Sequence, residues 1–356
     1  MRLDANAGIQ GSKVRAALDG YRQMLTLVLG LPEQIEQARA IADRVDYGSV
    51  RRFDNVVVAG MGGSAIGGSV LRGLLGSELT LPIIVCRDYV VPAIVTRRSL
   101  FFAVSYSGNT EETLSAFEQA RRIRCRVIAV TSGGRLAELA QRAGVPVVLL
   151  SAGLPPRAAL GYLFVPLLVG LEQLRICRSY RQDLVEAVGL IRKNRRLWLN
   201  RARVLARVLD SRLPVVYSTS RLLDAVAERW QCQLNENAKV MCHVNALPEQ
   251  NHNELVGIGA PRFLAQRTVL IALLDAATHT RTRLRLKHLL EMTRTGYYRA
   301  VQLESQGRSE LARIFSLLML GDMVSVELAR RRHVNPMPVA RIDELKRRMD
   351  WAGRKR

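Results

Sequence analysis

Two segments of this sequence combine glycine and hydroxyl residues in the way a phosphate-binding turn requires. Val56-Val57-Val58-Ala59 runs directly into Gly60-Met61-Gly62-Gly63-Ser64-Ala65-Ile66-Gly67-Gly68. Glycines let a backbone turn tightly and approach a ligand, and a helix starting here would offer unpaired N–H groups to an anion. Further on, Phe101-Phe102-Ala103-Val104 ends in Ser105-Tyr106-Ser107-Gly108-Asn109-Thr110-Glu111-Glu112. Hydroxyls at positions 105, 107 and 110 can converge on one phosphate, joined by backbone donors of the next helix. Gly62, Gly63, Ser64, Ser105, Ser107 and Thr110 are therefore the candidate binding residues. Two plainer readings stand beside this one. Gly60, Gly62 and Ala65 satisfy the G-x-G-x-x-[GA] spacing of a dinucleotide site, although the lysine of a nucleoside triphosphate loop is absent. Ser107 or Asn109 could instead cap a helix, with Glu112 completing a box-like arrangement.

Four further side chains could carry protons or charge. Glu236, in Asn235-Glu236-Asn237-Ala238-Lys239, follows an amphipathic stretch and by residue type alone is a surface carboxylate at a helix end. His252 lies in the polar run Pro248-Glu249-Gln250-Asn251-His252-Asn253-Glu254. A neutral imidazole there can exchange a proton near pH 7, or simply hydrogen-bond the loop. Arg157, in Leu154-Pro155-Pro156-Arg157, follows a predicted strand at the carboxyl edge, where open α/β sheets bind ligands. Lys346, in Ile342-Asp343-Glu344-Leu345-Lys346, reads on its own as a solvated helix lysine. His243, His279, His288 and His333 lack a comparable context and are expected to be structural.

The elements that must position these groups follow from apolar periodicity. Short β-rich runs at Val56–Ala59, Ile83–Cys86, Phe101–Val104, Arg126–Val130 and Val147–Leu150 alternate with helical patterns at Ser64–Leu75, Thr110–Ile123 and Leu136–Ala143. That alternation predicts a doubly wound parallel sheet with helices on both faces. Before about Val50 the chain reads as an N-terminal helix, with Leu25, Val28 and Leu29 as its stripe and Pro32 near its end. A helical bridge from about Pro166 to Leu209 leads to a second strand, Pro214–Tyr217, a Ser/Thr loop, and a helix carrying Leu222, Leu223, Val226, Trp230 and Leu234. Strands at Thr268–Leu274 and Tyr297–Leu303 and a buried helix at Leu311–Arg330 complete a second α/β unit. The expected division is 1–178 and 179–356.

Composition bounds the function classes. With 356 residues, 48% hydrophobic and 24% charged, the chain has an ordinary globular composition and room for two cores. The start lacks an apolar signal core, and the apolar stretch Leu160–Leu171 is too short to span a bilayer, so a soluble cytoplasmic protein is expected. The five cysteines are scattered without a C-x-x-C pair, so neither disulfides nor a metal site is expected. A net charge of +22 raises the question of nucleic acid. The arginines are nevertheless dispersed in small groups with few interleaved aromatics, which favours solvated faces and a field attracting small anions.

Taken in order, G-M-G-G-S-A-I-G-G, S-Y-S-G-N-T-E-E-T, N-E-N-A-K and P-E-Q-N-H-N-E resemble the bifunctional phosphoglucose/phosphomannose isomerase family of the sugar-isomerase (SIS) superfamily, over about Asp54 to Lys346. The resemblance implies two SIS-type, Rossmann-like domains in a homodimer that isomerises a hexose 6-phosphate through an enediolate without a metal or redox cofactor. It further implies Glu236 as the proton-transfer base and Arg157 as the cation facing the enediolate. His252 would open the sugar ring in the partner subunit's site, with Lys346 assisting. Asn335-Pro336-Met337-Pro338 departs from the D-P-T-P form of the family, which would alter substrate positioning around Lys346. A related enzyme for a different phosphosugar, and a non-catalytic sugar-phosphate sensor, are the alternatives. The sensor would need neither Glu236 nor His252, and no helix-turn-helix module is evident.

Overall fold

The computed structural model describes the backbone of residues 2–353 and the side chains of residues 14–349. The chain opens with α1 (Arg2–Leu29) and α2 (Leu31–Ala42), separated at Gly30. One N-terminal helix ending near Pro32 was the expectation. Pro32 instead sits in the first turn of α2, where its missing N–H costs no hydrogen bond.

The first sheet comprises β1 (Asn55–Ala59), β2 (Ile83–Cys86), β3 (Ser99–Val104), β4 (Arg126–Thr131) and β5 (Val147–Leu149). Between them run α3 (Gly63–Leu75), α4 (Glu111–Ile123) and α5 (Gly134–Arg142). All pairings are parallel in the order β2-β1-β3-β4-β5, with Val58 between Val85 and Phe102. Every residue of β1 and β3 is buried, as a parallel sheet covered on both faces requires.

The expected bridge is two helices, α6 (Leu160–Gln173) and α7 (Arg181–Leu209), joined by a turn in which Arg175 is left-handed at φ 56°. From Leu160 to Leu171 α6 is buried on every side. Among the described residues no helix is long and apolar enough to cross a membrane.

The second sheet contains β6 (Leu213–Ser218), β7 (His243–Ala246), β8 (Thr268–Leu274) and β9 (Arg299–Glu304), with α8 (Arg221–Ala238), α9 (Arg262–Ala265) and α10 (Thr280–Met292) between them. Its order, β7-β6-β8-β9, is again parallel and repeats the winding of the first. Strand β7 was not anticipated. It is a short edge strand, none of whose residues is fully buried, so His243-Val244-Asn245-Ala246 offers no apolar run to read. The chain closes with α11 (Glu310–Arg331) and α12 (Ala340–Gly353).

One apolar cluster runs through both halves, from Val56 and Leu163 to Trp230, Leu273 and Phe315. Phe164 and Phe315 meet edge to face with centroids 5.8 Å apart, and the Trp230 indole N–H donates to the Leu317 carbonyl at 2.9 Å. Burial of each such side chain contributes about 2–3 kcal/mol, so α8 and α11 hold a fixed position against the first half. That position sets the site.

Candidate active site

In a parallel sheet wound β2-β1-β3-β4-β5 the connections leave in opposite directions between β1 and β3, opening a crevice at the carboxyl ends of those strands. Both segments singled out in the sequence flank it. After β1 the chain turns at Gly62, whose φ of 50° and ψ of −121° suit glycine alone. After β3, Ser105 Oγ lies 3.0 Å from Thr110 Oγ1 and accepts from Gly108 N at 3.1 Å, while Ser107 Oγ accepts from Asn109 N at 3.3 Å. The Tyr106 amide donates to Ser64 Oγ at 3.2 Å and so ties the two turns together. The capping alternative is not realised. The residue before α4 is Thr110, with no side-chain capping bond, and Asn109 Oδ1 accepts instead from Arg135 N at 3.0 Å. The N–H groups that a first helical turn leaves unpaired therefore receive no internal cap.

Arg157 reaches the same crevice from the short 3-10 turn Pro156–Ala158. Gly63 makes this possible, because a Cβ at that position would lie 2.8 Å from the carbonyl of Pro156 and 3.1 Å from Arg157 N. Arg157 is only 5% exposed. One terminal nitrogen lies 3.6 Å from Glu236 Oε2, whose side chain is 25% exposed. Burial raises the Glu236 pKa above the usual carboxylate value, and Arg157, Arg229, Lys239 and Lys346 pull it back only in part. Burial likewise lowers the Arg157 pKa, against the pull of Glu236 and Asp343. Glu236 is thus a half-buried carboxylate, more basic than a free one, beside a fixed cation.

The scaffold behind this pair is polar and buried. Arg157 Nε donates to Asn237 Oδ1 at 2.7 Å, and Asn237 Nδ2 donates to Ser325 Oγ at 2.9 Å. The Arg157 carbonyl accepts from Arg229 at 2.9 Å, and Arg229 forks onto Asp322 at 2.9 and 2.6 Å. Gln233 joins the same carboxylate at 2.8 Å. Residues 229, 233, 236 and 237 all stand on α8 at three- and four-residue spacing, hence on neighbouring turns of one face. From the other side, Arg157 donates to the carbonyls of Pro336 and Met337 at 2.6 and 2.8 Å. Lys239 donates to Pro338 O at 2.6 Å and to Glu236 O. Lys346, exposed on α12, lies close enough to stabilise the Glu236 carboxylate electrostatically.

His252 stands apart. It is exposed at the end of the 3-10 turn Glu249–His252 and shares no hydrogen bond with Glu236 or Arg157. Glu254 pins this loop to the second sheet by accepting from Tyr217, Asn245 and, at 2.9 Å, His243. Burial would raise the Glu254 pKa, but those partners hold it below the usual carboxylate value. His243, expected to be structural, is part of that anchor.

The matching crevice between β6 and β8 is occupied by its own side chains. Thr219 Oγ1 and Thr278 Oγ1 are 2.9 Å apart, and buried Asp275 accepts from Ser305 at 2.6 Å and Arg313 at 2.8 Å. Among the described residues no group of three or more His, Cys, Asp or Glu side chains could hold a metal ion.

Residues 199–349 match the family model described as the bacterial phospho-glucose isomerase C-terminal SIS domain. The chain is 38% identical over 334 residues to the bifunctional phosphoglucose/phosphomannose isomerase of Caldicellulosiruptor bescii, covering 92% of this chain and 98% of that relative. This chain belongs to the bifunctional phosphoglucose/phosphomannose isomerase family. The relative of the same name from Thermoplasma acidophilum is 37% identical over 320 residues, covering 88% of this chain and 96% of its own length. In fold, the family member described here resembles a hypothetical protein of Thermus thermophilus at 15% identity and a TM-score of 0.73, over 97% of this chain and 98% of that one.

In this family member Ser64 is tied to the turn of Ser105, Ser107 and Thr110, its neighbour Gly63 abuts Arg157, and Arg157 and Lys346 bear on Glu236, while His252 lies outside the group. Sequence reasoning missed Asn237, Arg229, Gln233, Asp322 and Ser325. Arg229, Gln233 and Asn237 recur every four residues along the helix that carries Glu236, a polar stripe that was available as a signal.

Proposed function

We propose that this chain interconverts glucose 6-phosphate, and mannose 6-phosphate, with fructose 6-phosphate through a cis-enediolate. The observation that carries this reading is the pairing of Glu236 with buried Arg157 next to the crevice of Ser64, Ser105 and Thr110. A hexose held there by its 6-phosphate would present carbons 1 and 2 to the carboxylate. Glu236 takes the proton from carbon 2 of the open-chain aldose; the electron pair of that C–H bond forms the carbon 1–carbon 2 double bond as the carbonyl π pair moves onto oxygen 1. The hydroxyl proton on oxygen 2 passes to oxygen 1, the electrons left on oxygen 2 form the carbonyl at carbon 2, and the double-bond pair takes the proton back from Glu236 at carbon 1. Arg157 stabilises the charge that builds on those oxygens, and its network of partners keeps it from having to reorganise as the charge develops. The raised pKa of Glu236 brings its basicity nearer to the operating pH.

Ring opening comes first. His252 supplies the proton to the ring oxygen from the partner subunit of a homodimer, with Lys346 assisting, because within one subunit the charged side chains that bear on Glu236 are Arg157, Arg229, Lys239 and Lys346, with no histidine of the described residues among them. The working unit is cytoplasmic, with a division near residues 178 and 179 in the turn between α6 and α7.

A coupled assay on both hexose phosphates tests the reading. The wild-type chain should turn over at least one of them, and Glu236→Gln should lose about 10²-fold or more in kcat while KM stays near the wild-type value. Unchanged turnover in that variant removes Glu236 from the mechanism.

A further inference from the structure

The carbonyls that hold the two cations beside Glu236 come from one short segment, Pro336-Met337-Pro338. Two prolines restrict its backbone but do not fix where it lies. That is decided by Asn335. Its Oδ1 accepts from Met337 N at 2.9 Å, and its Nδ2 donates to the carbonyl of Ala16 on α1 at 3.1 Å. The amide serves an N–H and a carbonyl at once from two separate atoms of this short side chain. A carboxylate at the same position would accept from Met337 but meet the Ala16 oxygen with a second acceptor. The chain carries asparagine where an aspartate opens the D-P-T-P form, and the structure shows what the amide nitrogen reaches.

The helix is shaped for this contact. One turn beyond Ala16 stands Gly20, and a Cβ there would lie 2.0 Å from Asn335 Oδ1 and 2.6 Å from its Cγ. A glycine inside a helix destabilises it by roughly 0.5–1 kcal/mol relative to alanine, so this site trades helix propensity for close approach of the amide. Next to it, Tyr21 donates to buried Glu327 of α11 at 2.9 Å, and Met24 is fully buried, so α1 is itself anchored. α1 also touches the Pro156–Ala158 turn.

We propose that Asn335 is a positioning residue for isomerisation: by bridging Ala16 of α1 to Met337, it fixes the carbonyls that aim Arg157 at Glu236. This rests on the isomerase reading above. The N-terminal helix is then a strap on the site rather than a passive extension.

Asn335→Asp and Gly20→Ala perturb the bridge differently. The first keeps the size of the side chain and removes its donor; the second keeps Asn335 and takes its space. Both should lower kcat by about 10- to 100-fold, the cost of a misplacement near 1 Å, with KM within about two-fold of wild type. Glu236 is faced by Arg157, by Arg229 and Lys239 from α8 and its end, by Lys346 from α12 and by Cys232 on its own helix. If Arg157 withdraws, a cation that stabilises the carboxylate is lost. The acid limb of the kcat profile should then move to higher pH, a shift that a merely structural role would not produce. In an Arg157→Lys background Asn335→Asp should cost little more, because the group it aims is already gone. An active wild type with a crippled Arg157→Lys variant, but with wild-type kcat and pH profile in Asn335→Asp and Gly20→Ala, overturns this inference alone. A wild type inactive on both hexose phosphates, or an Arg157→Lys variant with full activity, overturns the isomerase reading on which it rests and the positioning role with it.

Discussion

Replacing Gly63 by alanine changes one methyl group and asks whether the phosphate crevice and Arg157 form one rigid unit. A Cβ at this position would stand 2.8 Å from both the carbon and the oxygen of the Pro156 carbonyl, whereas ordinary contact begins near 3.4 Å. The atoms it meets are backbone of a proline-bearing turn, so no side-chain rotation relieves the contact. The turn must recede from α3 by about 0.6 Å, and Arg157 is the next residue of that turn. Overpacking of this kind costs about 1–3 kcal/mol. If even half of that appears as lost transition-state stabilisation, kcat/KM falls about 2- to 12-fold, since about 1.4 kcal/mol is tenfold in rate. Misaimed cation and phosphate contacts together take the expected loss to about ten-fold or more. Initial rates with fructose 6-phosphate, alongside thermal unfolding, measure both consequences. Gly189→Ala is the control. It lies inside α7 with open space around its Cβ position, and it should gain about 0.5–1 kcal/mol of stability with unchanged kcat/KM. Wild-type kcat/KM in Gly63→Ala would show that the turn and the crevice are not mechanically joined, and the account of how Arg157 is delivered would fail.

His252→Ala should impair turnover of cyclic substrate by about 10²-fold or more but spare an open-chain analogue; equal losses on both would exclude ring opening as its role. Mixing His252→Ala and Glu236→Gln subunits under conditions of exchange should restore partial activity, because one intact site forms in each mixed dimer if the histidine crosses the interface. In the second half, burial alone would raise the Asp275 pKa, but hydrogen bonds from Ser305, Arg313 and the Ala277 amide outweigh it and hold the pKa below the ordinary value. A carboxylate depressed in the folded state contributes stability that is present above its unfolded pKa and lost as pH falls through the folded one. Asp275→Asn should therefore cost about 3–5 kcal/mol near pH 7 by stranding Arg313, and the gap from wild type should narrow below about pH 4; a gap independent of pH would refute the assignment.

The β-turn-α units were legible because local rules encode them. Val56–Ala59 into Gly62-Gly63-Ser64, and Phe101–Val104 into Ser105–Thr110, each place an apolar run before glycine or hydroxyl turns and a helix, and the strands formed at β1 and β3 within a residue or two of expectation. Glu236, Arg157 and Lys346 were found by motif resemblance, not by periodicity. Less was legible where partners are distant or polar. β7 is an edge strand without an apolar run, and the Asn237–Ser325 and Arg229–Asp322 pairs join α8 to α11 across 88 and 93 residues.

By itself the sequence determined where apolar runs meet glycine and hydroxyl turns and which segments, edge strand β7 apart, form two parallel sheets, since alternation and glycine conformation act over a few residues. Only the tertiary structure decided that Arg157 meets Asn237, 80 residues away, and the Pro336 carbonyl, 179 residues away. It also decided that the second crevice, similar in winding, is filled by Asp275 and Arg313. Such choices depend on how α8, α11 and α1 pack against one another, and a buried polar atom takes whichever partner that packing brings within 3 Å, a distance no local pattern encodes.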